Sequence, residues 1–103
     1  MRLPPEQIQE IDVPELRETF CDSLGISTFD EMTTRITFYI QRVQPPKPPK
    51  PPFAKKYPVC RMILTIQATV ELANQLNQLI QVLGQQGLVK IEAGKPAEAV
   101  TKH

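Results

Sequence analysis

Cysteine occurs twice, histidine once and glycine four times in 103 residues, too few for most catalytic or metal-binding frames. Cys21 and Cys60 lack any CxxC spacing and are too few for a disulfide scaffold. Zinc takes about four ligands, so two thiols and one terminal imidazole do not complete a site within one chain. The only histidine, His103, is the last residue, where a general base lacks the fixed geometry it needs. No GxGxxG or GxxxxGK[ST] run is present to cradle a nucleotide phosphate. Apolar stretches fall short of the roughly 18–20 residues that cross a bilayer. The opening MRLPPEQIQEIDVPEL carries no apolar h-region, which argues against a secretory signal. These absences predict a cytoplasmic protein that is not an enzyme and uses no metal or cofactor. What remains, 41% apolar and 22% charged residues, suits one globular domain.

Charge is strongly segregated beneath a formal net charge of +1. Residues 1–31 hold eight acids against Arg2 and Arg17, a net of −6, whereas residues 32–61 hold seven bases and no acid. Such a pattern can steer a charged partner or pair the two blocks with each other. The acid pairs Asp30–Glu31 and Glu15–Glu18 read as solvated surface, because nothing in the sequence raises a pKa beside them.

Proline is segregated too, with seven of eleven in residues 45–58, PPKPPKPPFAKKYP. Proline offers no N–H and fixes φ, so 45–52 is expected as a polyproline II strut roughly 25 Å long, at about 3.1 Å per residue.

Alternation marks the strands. In TTRITFYIQRV, Ile36, Phe38 and Ile40 alternate with Thr37, Tyr39 and Gln41. In VCRMILTI, Cys60, Met62 and Leu64 share one face, and Val59, Arg61 and Ile63 the other. A weaker strand lies around Leu16–Ser27, with a bulge expected near Gly25. Leu72, Leu76, Leu79, Ile80 and Leu83 then follow the spacing of one helical stripe. Thr65 is placed to cap that helix, and Gly87 with Leu88 to close it as a Schellman motif. The fold class expected is α+β, a small antiparallel sheet of about three strands in the order ββ–strut–βα, with one C-terminal amphipathic helix lying on the face of Ile36, Phe38, Ile40, Met62 and Leu64. The domain is expected over 15–90, with an N-terminal extension over 1–14 and a flexible tail over 91–103.

ELRETFCDSLGIS, RITFYIQRVQPPKPPKPPFAKKYPVCRMILT and ELANQLNQLIQVLGQQG together resemble a family of short bacterial proteins of unknown function, of about 100 residues. The resemblance runs from Glu15 to Lys90 and implies no activity. Ile66 departs from it, standing where such sequences often place a proline after the Thr cap, which predicts a less sharply fixed helix start. The element order also resembles that of the export chaperone SecB, an analogy of fold that licenses no function.

Four functional candidates follow. Pro45-x-x-Pro48 with Lys50 has the form of a proline-rich ligand, in which Lys47 and Lys50 share one edge of a three-fold helix and meet acids beside an aromatic groove. The plainer reading is a rigid connector between strands. Phe53, Tyr57 and Tyr39 interleave with Lys55, Lys56 and Arg61 about the basic segment 42–61, which suits phosphate neutralisation and base stacking. A chain that is not basic overall makes the nucleic-acid reading the weaker one. Cys21 and Cys60, in apolar patterns, read as small core fillers rather than a redox pair. Tyr39, Val43, Val59 and Ile63 share a sheet face that a single helix leaves uncovered, which predicts self-association, most simply a dimer. The leading expectation is therefore a non-enzymatic oligomeric interaction or structural module. A nucleic-acid accessory protein, or a SecB-like chaperone binding unfolded chains, is the alternative.

Overall fold

Two runs of β-branched and aromatic residues make the longest strands. In the computed structural model, which describes residues 3–100, they pair as one antiparallel hairpin: β3 (Thr33–Gln44) against β4 (Phe53–Thr65). Two short strands, β1 (Ser23–Leu24) and β2 (Thr28–Phe29), pair successively with the other edge of β3. The long helix α1 (Ile66–Gln85) follows β4 without a loop. A one-turn 3₁₀ helix, Pro5–Gln7, precedes the sheet, and β5 (Val89–Lys90) pairs with β6 (Glu98–Ala99) after the helix. The fold class is α+β, an antiparallel sheet of several strands with one helix near the C-terminus.

Of the weak strand expected over 16–27 only Ser23–Leu24 is strand, and the second short strand, Thr28–Phe29, lies beyond that range. Just before β1 the Asp22 carboxylate accepts the Gln41 N–H at 2.8 Å, where a further strand residue would offer its carbonyl. Gly25 lies under the Tyr39 ring, where an added Cβ would come within 2.5 Å of Cε2. The register shift lies not at Gly25 but on the opposite strand: Phe38 faces Cys60 and Tyr39 faces Pro58, leaving Val59 as the extra residue. Pro58 has no N–H to give the ladder, and an edge strand with a bulge is where a sheet tolerates that loss.

The proline strut is also corrected. Gln44 and Phe53 are cross-strand partners, so residues 45–52 double back as a hairpin loop instead of spanning roughly 25 Å. Within the loop the Lys50 N–H donates to the Lys47 carbonyl at 2.8 Å, and the Pro48–Pro49 peptide is cis. Lys47 and Lys50 thus close a turn and are not aligned on one edge of an extended polyproline helix.

Both ends of α1 follow from single residues. The Thr65 hydroxyl accepts the Ala68 N–H at 3.1 Å, which fixes the helix start at Ile66 without a proline. At the other end Gly87, with φ +76°, lets its own N–H reach the Gly84 carbonyl and the Leu88 N–H reach the Leu83 carbonyl. The segment expected as a tail carries secondary structure: β5 and β6 are joined by a turn with Gly94 at φ +79°, and Glu92 binds Lys90 and Lys95. Residues 101–103, His103 among them, lie outside the described residues.

The helix does not lie on the sheet as expected. It meets β3 and β4 near its start, where the Thr34 and Thr69 hydroxyls hydrogen-bond at 2.8 Å, and it meets β5 near its end. Met62 on the supposed helix-covered face is 44% exposed, and Leu79 in the middle of the stripe is 57% exposed. Thr37 is the one buried residue among those described, and no apolar side chain reaches that state. The radius of gyration, 18.1 Å, far exceeds the value of about 13 Å for a compact domain of this length.

Candidate functional site

The hairpin outruns its neighbours. β1 and β2 cover Thr34, Arg35, Phe38 and Tyr39, and Asp22 reaches Gln41. Beyond that point β3 and β4 continue as a two-stranded ribbon ending in the proline loop. The bases Arg42, Lys47, Lys50, Lys55 and Lys56 all belong to this ribbon, and no acid lies between residues 42 and 56.

Register brings like charges together there. Arg42 stands directly opposite Lys55, an arrangement that costs stability unless an anion neutralises it. Lys56, opposite Gln41, reaches across the sheet to the Leu24 carbonyl at 3.3 Å. Phe53 and Tyr57 share the Lys55 face by alternation, and both are exposed. Pro45 and Pro48 lie in the loop, exposed to solvent. The sequence places Arg42 and Lys55 in one basic block but not opposite each other, since that pairing depends on a loop length that spacing alone did not fix.

The acidic and basic blocks do not neutralise each other within the protomer. Among the described residues the one ion pair between them is Arg35–Asp30 at 3.1 Å. Asp30 is a local organiser: its carboxylate accepts the backbone N–H groups of Met32 and Thr33, both at 2.8 Å, and the Arg35 guanidinium. Those donors hold its carboxyl well below the usual carboxylate range.

Tyr39, Val43 and Ile63 fall on one sheet face, with Val59 at the bulge between them. Val43 is 77% and Ile63 59% exposed. Their face is not uniformly apolar, because Arg61 donates to the buried Thr37 hydroxyl at 3.0 Å in its middle. The opposite face carries Ile36, Phe38, Ile40 and Leu64, half-buried, and here too cover is incomplete.

Cys21 and Cys60 line one cavity of about 200 Å³ with Thr19 and Phe38. Both thiols are free and half-buried. No cluster of three or more histidine, cysteine, aspartate or glutamate side chains suited to a metal ion occurs among the described residues. No described helix is long and apolar enough to cross a membrane. Compared with protein-family models, curated proteins and solved structures, the chain has no match in any of the three.

Proposed function

We propose that this protein is a non-enzymatic, homo-oligomeric interaction or structural module whose apolar faces are covered by another copy of itself. The observation that carries the reading is exposure. The protomer exposes 9761 Å², whereas a compact chain of this mass exposes about 5,900 Å². The excess of about 3,900 Å² is more than the roughly 1,000–2,500 Å² that each partner of an obligate homodimer gives up. A chain with so little interior has little apolar burial to offset its conformational entropy. Full burial of each stripe leucine, Leu76, Leu79 and Leu83 among them, offers about 1.5–3 kcal/mol. Association through that stripe and through Tyr39, Val43, Val59 and Ile63 supplies the missing interior. The compartment we propose is the cytoplasm, where both free thiols stay reduced.

Sedimentation across a dilution series tests this. The wild type should sediment as a dimer at tens of micromolar, a level that fills an interface of Kd about 1 μM. Replacing Val59 and Ile63 together by glutamate should dissociate it while far-ultraviolet dichroism retains the helix. A wild type that is monomeric throughout overturns the reading.

A further inference from the structure

The arm that leads into the sheet touches its own protomer at its two ends but makes no backbone hydrogen bond to another element among the described residues. Between Ile8 and the Asp22 N–H, which binds the Tyr39 carbonyl, its one backbone hydrogen bond is internal, from the Leu16 N–H to Val13. Ile8, Ile11, Val13, Leu16 and Phe20 are all exposed along it. Between them stand Glu10, Asp12, Glu15 and Glu18 against Arg17, a net of −3 over residues 8–20. None of these four acids is in an ion pair among the described residues. Large apolar residues interleaved with acids, bent once at the Val13–Leu16 turn, suit a segment that lies on a basic, apolar surface.

The ribbon is such a surface, with five bases over residues 42–56 beside Ile40, Phe53 and Tyr57. Within one protomer the two are kept apart. Thr19 and Cys21 turn onto Phe38 and Cys60, and Leu3 to Glu10 share a cleft with Gln67 and Glu71 at the helix start. The arm therefore runs back towards the Thr33–Thr65 end of the hairpin, while the basic loop lies at the other end, about 36 Å away along β3. Glu10, by the helix start, and Asp30, beside Thr33, thus lie at the end of the hairpin remote from the basic loop.

Two such bodies related by a two-fold axis across the hairpin set each acidic end against the other's basic end. Building on the self-association proposed above, we infer that the N-terminal arm of each copy, residues 8–20, lies along the basic ribbon of the second copy. The exchange covers the arm's apolar residues, neutralises the Arg42–Lys55 pair and orders a two-stranded ribbon that is marginal alone. Both complementary surfaces are on the same chain, which favours a second copy over a nucleic acid, whose phosphates the acidic end would repel.

Charge reversal with mixing tests the exchange on the full chain. One variant carries Arg42→Glu, Lys47→Glu, Lys50→Glu and Lys55→Glu, which takes the ribbon from +5 to −3, and a second carries Glu10→Lys, Glu15→Lys and Glu18→Lys, which takes the arm from −3 to +3. Each alone should self-associate more weakly than wild type by about tenfold or more, the scale of a lost charge contact at an interface. An equimolar mixture should recover dimers near the wild-type Kd, because every arm–ribbon contact in the mixed dimer joins opposite charges. Carbodiimide cross-linking of mixed light and heavy-nitrogen wild-type chains should join Glu15 or Glu18 to Lys55 or Lys56 across isotopes. A dimer that neither variant weakens, a mixture that fails to recover, or cross-links confined to single chains overturns the arm exchange. So does a ribbon variant that stays dimeric but loses retention of a short DNA duplex that wild type binds. In each of these cases a dimeric wild type leaves the self-association intact, whereas a monomeric wild type removes both.

Discussion

Asp30 organises more backbone than any other side chain in the described protein. Two N–H groups, a hydroxyl and a guanidinium converge on its carboxylate and set the turn from β2 into β3. The same donors hold its carboxyl below the usual range, so the folded state favours the ionised form more than the unfolded chain does. The resulting stability is present above the ordinary aspartate value of about 3.9 and declines as pH falls below it. Asp30→Ala should therefore melt at a lower temperature than wild type at neutral pH, and the gap should narrow below about pH 4. A gap that is constant with pH would assign the effect to the turn alone. The D-x-x-T spacing of Asp30 and Thr33 is an Asx-type turn signal in the sequence, whereas Arg35 as its third partner follows from the strand register.

At the scale of elements, α1 was legible from end to end, because both its boundaries rest on residues adjacent in sequence. Thr65 caps one end and Gly87 closes the other. Gly87 has nothing within 4 Å of a would-be Cβ, so the effect of replacing it is purely that of backbone conformation. Gly87→Ala should cost about 1 kcal/mol, the scale of the left-handed penalty for an L-residue. Gly84→Ala is the control. It gains helix propensity of about 1 kcal/mol, and its new Cβ meets the end of the Ile91 side chain, Cδ1 at 2.6 Å and Cγ1 at 3.3 Å, which must swing aside. Denaturant melts should separate the two in opposite directions, or at least leave the second unchanged. The hairpin was less legible. Alternation identified both strands, but a proline-rich linker can be strut or loop, and pairing of Gln44 with Phe53 decides it. The bulge at Val59 likewise depends on which strand faces Pro58.

At the scale of the molecule, the protomer exposes about 3,900 Å² more than a compact chain of its mass, which favours the proposed self-association. Folding coupled to association makes the thermal midpoint depend on protomer concentration. Calorimetry between about 5 and 200 μM, which brackets a micromolar Kd, should show the midpoint rising with concentration. A midpoint independent of concentration would belong to a monomer that unfolds alone.

The sequence by itself determined the local chemistry: the helix with its cap and closing glycine, the alternating strands with Tyr39 and Val43 on one side of theirs, and the division into acidic and basic blocks. Each is set within about one turn or one pleat, where period and propensity act. Only the tertiary structure decided that the proline segment doubles back, that Arg42 faces Lys55, and that the helix touches the sheet near its start and leaves its stripe open. Those outcomes depend on distances between residues remote in sequence. An amphipathic stripe encodes that a face will be buried, not which surface, its own sheet or a neighbour's, will bury it.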